Sequence, residues 1–328
     1  MKDIQELKLA FIGASHWHAP LYFPAVGSAG LRVVAVSDPN EVIAKKCASQ
    51  LGGKAYINPM RLLDTEKPDF VFAFDIHSRM PAQAMALIER NIPFSIEKPL
   101  GVCAQDVRDV KKTADAGDIF CAIPLIWRNS QLLRDLKENH SPDDFVNLSF
   151  TFNAGPPSRY INPSPWMLKA ETAGSGCMTN LGIHFIDMAL FLTDSTNADV
   201  LGSTFHYMNG YDVEDYAVTL FKLPNGATVS LQTGYAYPMT EDSKRDNHWC
   251  FTTKAGYYTI RDNAMEVRRM GEPSKTLEYN TDTDPYYEVY TKQTLEAYVA
   301  GKKPAAGLDE MLNARIVLDQ IISKGKEC

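Results

Sequence analysis

Between Leu7 and Ile123 the chain alternates short apolar runs with stretches of helical spacing. Leu7–Ile12, Leu31–Ser37, Lys54–Ile57, Asp69–Phe74, Pro93–Ile96 and Ile119–Ile123 read as strands. Stretches 20–29, 39–51, 80–90 and 104–116 read as helices, the second closed by Gly52-Gly53. Strands that alternate with helices of this length predict a parallel sheet with crossover helices. After residue 125 the pattern changes. Phe145–Asn153, Asp215–Leu223, Ala227–Tyr237, Trp249–Thr253 and Tyr257–Arg261 are strand candidates, several with alternating polarity. Pro224-Asn225-Gly226 is a hairpin turn between two of them. Stretch 288–322 reads as two helices around Gly301-Lys302-Lys303-Pro304. The expected architecture is α/β: a doubly wound parallel sheet over residues 1–123, then an α+β domain over 124–328 with a large, mostly antiparallel, open-faced sheet. The C-terminal helices are expected to pack back. An open sheet face suits a second copy, so a homodimer or homotetramer through the C-terminal sheet is expected.

In open α/β sheets, ligands bind at the carboxyl ends of the strands, so chemistry is expected at those ends. The first strand ends in Gly13-Ala14-Ser15-His16-Trp17-His18. A glycine there, ahead of a helix, is where a dinucleotide pyrophosphate is cradled. Only Gly13 of the usual three glycines is in register. Ser15 can offer its hydroxyl and backbone N–H to a phosphate, His16 is expected to line the cofactor pocket, and His18 should crowd helix against strand. The second strand ends in Asp38, at close to the spacing from Gly13 at which a carboxylate binds the adenosine ribose. That carboxylate would repel the extra phosphate of NADP, so NAD is the expected cofactor. Asp38-Pro39 reads equally as a helix cap. His16-x-His18 lacks a third ligand nearby, and no metal is expected.

The fifth strand ends in Glu97-Lys98-Pro99, where a lysine of lowered pKa can exchange a proton. Further on, Gly174-Ser175-Gly176-Cys177 reads as a small-residue loop opening a helix. Asn180, His184 and Asp187 follow at i, i+4 and i+7, one helical face. In the Pro-rich stretch before it, Arg159, Tyr160 and Trp166 are candidates for contacting a hydroxylated substrate. The net charge of −7 and pI near 5.5 argue against a nucleic-acid partner. No apolar run approaches membrane-spanning length, and the N-terminus lacks a signal-peptide shape, so a cytoplasmic protein is expected. The six cysteines form no C-x-x-C pair and suggest neither zinc nor a disulfide framework.

Glu97-Lys98-Pro99 together with Gly182-Ile183-His184-Phe185-Ile186-Asp187 resembles the Gfo/Idh/MocA family of NAD(P)-dependent oxidoreductases, over nearly the whole chain. The resemblance implies an N-terminal Rossmann domain and a C-terminal substrate domain. It implies Lys98 as the catalytic lysine, His184 as its acid/base partner, and Asn180 where the family usually has an aspartate. Glu97 is then expected near the nicotinamide ribose. Asp75-Ile76-His77 falls where the family often has T-P-x-x-x-H, which makes Asp75 and His77 cofactor-binding candidates, and Trp127-Arg128 resembles the family's arginine after the sixth strand. The implied activity is NAD-dependent oxidation of a CH–OH group in a sugar, sugar derivative or cyclitol. A glycoside hydrolase or lyase using NAD transiently, or a non-catalytic ligand sensor, would carry the same pattern.

Overall fold

The computed structural model describes residues 3–240 and 243–326. The described chain forms two compact units. The first takes the chain up to Gly101, then Gln105–Ile126 and Asp284–Met311. Its strands β1 (Lys8–Ile12), β2 (Arg32–Ser37), β3 (Lys54–Tyr56), β4 (Phe70–Ala73), β5 (Phe94–Ile96) and β6 (Cys121–Ala122) pair in parallel, in the order β3-β2-β1-β4-β5-β6. Helices α1 (Ala19–Ser28), α2 (Glu41–Leu51), α3 (Pro59–Glu66), α4 (Met80–Ile88) and α5 (Ala104–Ala116) connect them. Every residue of β4 is buried, as are Leu9 to Ile12 of β1, because both faces of a doubly wound sheet are covered. Phe11 stacks on Phe72 and Phe74 at 5.2 and 6.4 Å in the centre of this core. The strand order reverses between β1 and β4, the switch point at which such sheets open a crevice.

Local chemistry explains where elements start and stop. Asp38 Oδ1 accepts the Asn40 N–H, and the Asn40 side chain caps α2 through the N–H groups of Val42 and Ile43. The helix therefore begins at Glu41 rather than Pro39, and the cap is Asn40 rather than Asp38. Gly52 closes it at φ +79. β6 is shorter than its apolar run because the Ile123 N–H donates to Ala306 O instead of a strand neighbour. Helix α3 is an addition to the elements expected from the sequence, and Asn58 as cap and Pro59 in the first turn mark it.

The second unit comprises Val102–Ala104, Trp127–Thr283 and the chain from Leu312. After α6 (Gln131–Asn139) come β7 (Phe145–Ala154), α7 (Ala170–Ala173), a wide i→i+5 turn over Met178–Gly182, and α8 (Ile183–Leu192). Strands β8 (Asp199–His206), β9 (Tyr216–Lys222), β10 (Thr228–Gly234), β11 (Arg245–Thr253), β12 (Tyr257–Arg261), β13 (Ala264–Arg268) and β14 (Lys275–Glu278) complete a sheet ordered β14-β13-β12-β11-β7-β10-β9-β8. All pairings are antiparallel except β7 with β10. Gly226, at φ +91, makes the β9–β10 hairpin. Helix α9 (Tyr286–Val299) returns to the first unit, and α10 (Leu308–Lys326) ends the described chain. The stretch 170–192 corrects the reading that no run nears membrane-spanning length. Within its 23 residues an 18-residue window reaches a mean hydropathy of 1.2, but 83% of that window is buried inside the protein, as in a core helix. Cys328 lies outside the described residues.

Candidate active site

At the end of β1, Gly13 has φ +81, and a Cβ there would stand 2.0 Å from Phe74 O. Only glycine lets the loop pass so close to the end of β4, and this is the cradle a dinucleotide site requires. Most of the loop's amides are turned inward. Gly13 and Ala14 donate to Ser37 O, Ser15 to Asp38 Oδ2 at 2.6 Å, and His16 to Gly13 O. The backbone N–H of Ser15 is thus already spent on Asp38, and its exposed hydroxyl is what remains for a phosphate. Asp38, 1% exposed, ties the loop to the start of α2 through both carboxylate oxygens. Asp75 accepts the Ile76 N–H at 2.7 Å and the Arg79 guanidinium at 2.6 Å, and His77 beside it is buried.

His18 does not crowd the helix as its size suggested. It is buried, with Nδ1 3.0 Å from Glu97 Oε2. The Tyr22 hydroxyl donates to Glu97 Oε1 at 2.7 Å. From α9, Tyr287 brings its hydroxyl within 3.4 Å of the His18 ring, and Tyr290 meets Ser95 Oγ at 2.8 Å. Burial alone would raise the Glu97 pKa, but His18, His16 and Lys98 outweigh it and hold the carboxyl at about 2. Burial works the other way on Lys98, 3% exposed. It lowers the ammonium to about 8, with Glu97 opposing. Burial, then His18, bring His16 to about 3 and keep that imidazole neutral. The result is a fixed anion beside a lysine that titrates near neutrality. Tyr22, Tyr287 and Tyr290 were not singled out in the sequence. An isolated tyrosine on a distant helix leaves no signal there.

In the second unit, Gly176 carries the approach to α8. A Cβ at that position would lie 1.9 Å from Glu214 O. Glu214, 1% exposed, accepts the Ser175 hydroxyl and the N–H groups of Gly176 and Met178 at 2.6, 2.7 and 2.9 Å. Burial raises its pKa although these bonds pull it down. Cys177 is fully buried, its thiol pushed well above the ordinary range by burial.

The wide turn at Met178–Gly182 breaks the even helical spacing on which a single polar stripe depended. Asn180 is 2% exposed and donates to the Tyr160 hydroxyl at 3.0 Å. Asp187 is 1% exposed and pairs with Arg128, whose Nε and terminal nitrogen stand at 3.0 and 2.7 Å. From Ser175 to Leu190, His184 alone is not buried. Tyr160 is buried against Tyr235 with Arg159 over its ring, and Trp166 is half-buried. Gly13, Ser15, His16, Asp38, Asp75, His77, Glu97 and Lys98 thus belong to the first unit. Arg128, Tyr160, Trp166, Asn180 and His184 belong to the second.

Two family profiles match the sequence. "Oxidoreductase family, NAD-binding Rossmann fold" matches residues 7–122, and "GFO/IDH/MocA C-terminal domain" matches residues 143–258. Among solved structures, an oxidoreductase from Agrobacterium radiobacter in complex with NAD+, L-tartaric acid and magnesium has a TM-score of 0.86. It is 17% identical, over 98% of this chain and 96% of that one. Levoglucosan dehydrogenase in complex with NADH and levoglucosan has a TM-score of 0.87 at 14% identity, over 98% and 97%. UDP-N-acetylglucosamine 3-dehydrogenase from Acidithiobacillus ferrooxidans has 0.82 at 17%, over 98% of each chain. At such identities the likeness is one of fold. No curated protein matches the sequence. The matches to both parts of the chain, with Gly13 at the switch point of an NAD-binding Rossmann sheet, show that it belongs to the Gfo/Idh/MocA family of oxidoreductases.

Proposed function

We propose that this NAD-binding oxidoreductase is a dehydrogenase acting on a CH–OH group of a sugar, sugar derivative or cyclitol, with Lys98 and His184 handling the hydroxyl proton. The observation that carries the reading is Lys98, buried at the end of β5 with its pKa lowered to about 8 by burial against Glu97. Proton exchange is most efficient when the group's pKa lies near the working pH. Bound NAD supplies the hydride acceptor. Lys98 would hold the substrate oxygen and stabilise charge developing on it, while Glu97 keeps a fixed negative charge behind the lysine. His184, the open residue of a buried helix, is suited to receive or return the proton. Asn180 cannot ionise, so it would orient substrate rather than tune His184. Tyr160 and Trp166 are the proposed sugar contacts. Gly13, Ser15, His16, Asp38, Asp75 and His77 are the proposed cofactor-binding residues, with Glu97 and Arg128 as supports. Arg128 would act by fixing Asp187 on the His184 helix. Several neighbours of like fold act on sugars by name, which favours that substrate class.

The test is a sugar and cyclitol panel with NAD+, followed by nicotinamide absorbance. Lys98→Ala should lower turnover by about two to four orders of magnitude, the usual weight of a general acid–base group, with NAD+ binding retained. Turnover unchanged in that variant sinks the assignment, and sugar release without net NADH would move the reading to a hydrolase or lyase. The second sheet also exposes Val146, Leu201 and Leu220, which supports pairing of two copies through it. Light scattering should return a dimer or tetramer, and a monomer mass at micromolar concentration would remove that part.

A further inference from the structure

The second unit holds a cavity of about 390 Å³ walled by α6, β12, β13, β14 and the loop between the last two strands. None of the groups assigned above lines it. Its floor is apolar: Leu136, Met265 and Val267 are all buried. One polar side chain stands in that floor. His140 is 7% exposed, its ring set edge-on to Phe145 and Tyr258 at 5.6 and 5.1 Å. Among the described residues its imidazole has no hydrogen-bond partner within the protein, and its ring nitrogens reach solvent rather than lying buried and unsatisfied.

A second group at the same cavity is an exposed cation. Arg269, on the loop, donates to the Tyr258 hydroxyl at 3.3 Å, and among the described residues no carboxylate reaches its guanidinium. Of the two acids that line the cavity, Asp135 is engaged elsewhere, and Glu272 acts on Arg269 by its charge without pairing to it. Asp135 accepts the Tyr279 hydroxyl at 2.7 Å, and Glu272 faces Lys275 at 3.8 Å. Burial lowers the His140 pKa, with Asp144 opposing it and Arg269 adding to it, and leaves a neutral ring with one N–H to give.

We propose that this cavity is a binding site for a small amphipathic carboxylate, whose acid group lies between Arg269 and His140 and whose apolar body covers the floor. The volume is within the ordinary range for small-molecule sites, which are mostly apolar with a few convergent polar groups. A carboxylate gives the guanidinium a charge partner and the imidazole an acceptor in one group, which neither an alcohol nor an amine does. The site is independent of the proposed dehydrogenase chemistry, being built from the second unit alone.

Phenylacetate, benzoate and 4-methylvalerate, titrated calorimetrically into the full chain, are the probes, with phenylacetamide as the neutral counterpart of the first. At least one acid should bind saturably with one site per chain, and for phenylacetate the amide should be weaker. Arg269→Ala should raise Kd roughly tenfold or more, the loss expected for a charge-assisted hydrogen bond. His140→Ala should do the same, and if that variant fails to fold, the exposed Arg269 still decides. Binding should persist in Lys98→Met. Loss there would place the acids at the proposed active site and overturn the second one. Absence of saturable binding by all three acids, or equal binding in Arg269→Ala, would also overturn it.

Discussion

Lys98 is a residue that chemistry wants and folding does not. Its pKa near 8 lies below the 10.5 of an unfolded lysine, so between those values the unfolded chain binds more protons and stability rises with pH. Below pH 8 the lysine is charged in both states and its burial penalty is fully present. Above 10.5 it is neutral in both and the penalty is gone. Lys98→Met should therefore stabilise the fold at pH 7 by an amount of order 3 kcal/mol or less, read as a higher melting temperature, while abolishing turnover. That gain should shrink between pH 8 and 10.5. A melting temperature that falls at pH 7, or a gain indifferent to pH, would show that Lys98 is not held in a penalising environment. Part of this residue was legible in the sequence: a Glu-Lys-Pro at a strand end reads by itself as an exposed pair before a turn proline, and only the motif at 182–187, taken with it, points to a cleft lysine. Its neighbours were not. That His18 would lie against the Glu97 carboxylate rather than be a steric misfit follows only from the packing of α1 and α9 around one buried carboxylate.

At the scale of elements, the approach to α8 depends on one buried acid and one missing side chain. Gly176→Ala would drive a methyl group into Glu214 O, a contact 1.9 Å long that no rotamer relieves. The backbone must shift, and the three bonds to the Glu214 carboxylate loosen with it. Several kcal/mol of destabilisation is expected, the scale of overpacking combined with the loss of a buried polar network. Denaturant unfolding would read it, and a loss below about 0.5 kcal/mol would mean that the loop has room the structure denies. The small-residue run that opens this helix was visible in the sequence, because only such residues allow so close an approach. Glu214 was not, because a lone acid before a strand reads as surface. The wide turn at Met178–Gly182 was not either. Helical periodicity assumes 3.6 residues per turn, and nothing in Met178-Thr179-Asn180-Leu181-Gly182 announces a departure from it. Strand-helix alternation located most of the first unit for the opposite reason: buried parallel strands are uniformly apolar, and their boundaries coincide with turns. The short, exposed β14 has no such contrast with its surroundings and leaves no signal in the sequence.

For the molecule as a whole, the sharpest consequence concerns which dinucleotide it prefers. Asp38 turns both carboxylate oxygens toward the loop after β1 and the start of α2, so its negative charge is fixed at the end of β2. The adenosine 2′-phosphate of NADP would have to come near that charge, whereas the ribose hydroxyl of NAD could donate to a remaining lone pair. A ligand bound only to the folded state stabilises it by RT ln(1 + [L]/Kd), about 2.7 kcal/mol at a hundred times Kd. For a unit of this size each kcal/mol moves the transition by about 2–4 °C, so NAD+ or NADH in that excess should raise it by roughly 5–10 °C. NADP+ and NADPH at the same concentration should move it by far less. In Asp38→Asn the discrimination should narrow, at some loss of unliganded stability, because the amide keeps an acceptor for only one of the two backbone N–H groups. Equal shifts with NAD+ and NADP+ in the wild-type chain would confine Asp38 to its structural part, joining the loop to α2, and leave cofactor choice to other residues.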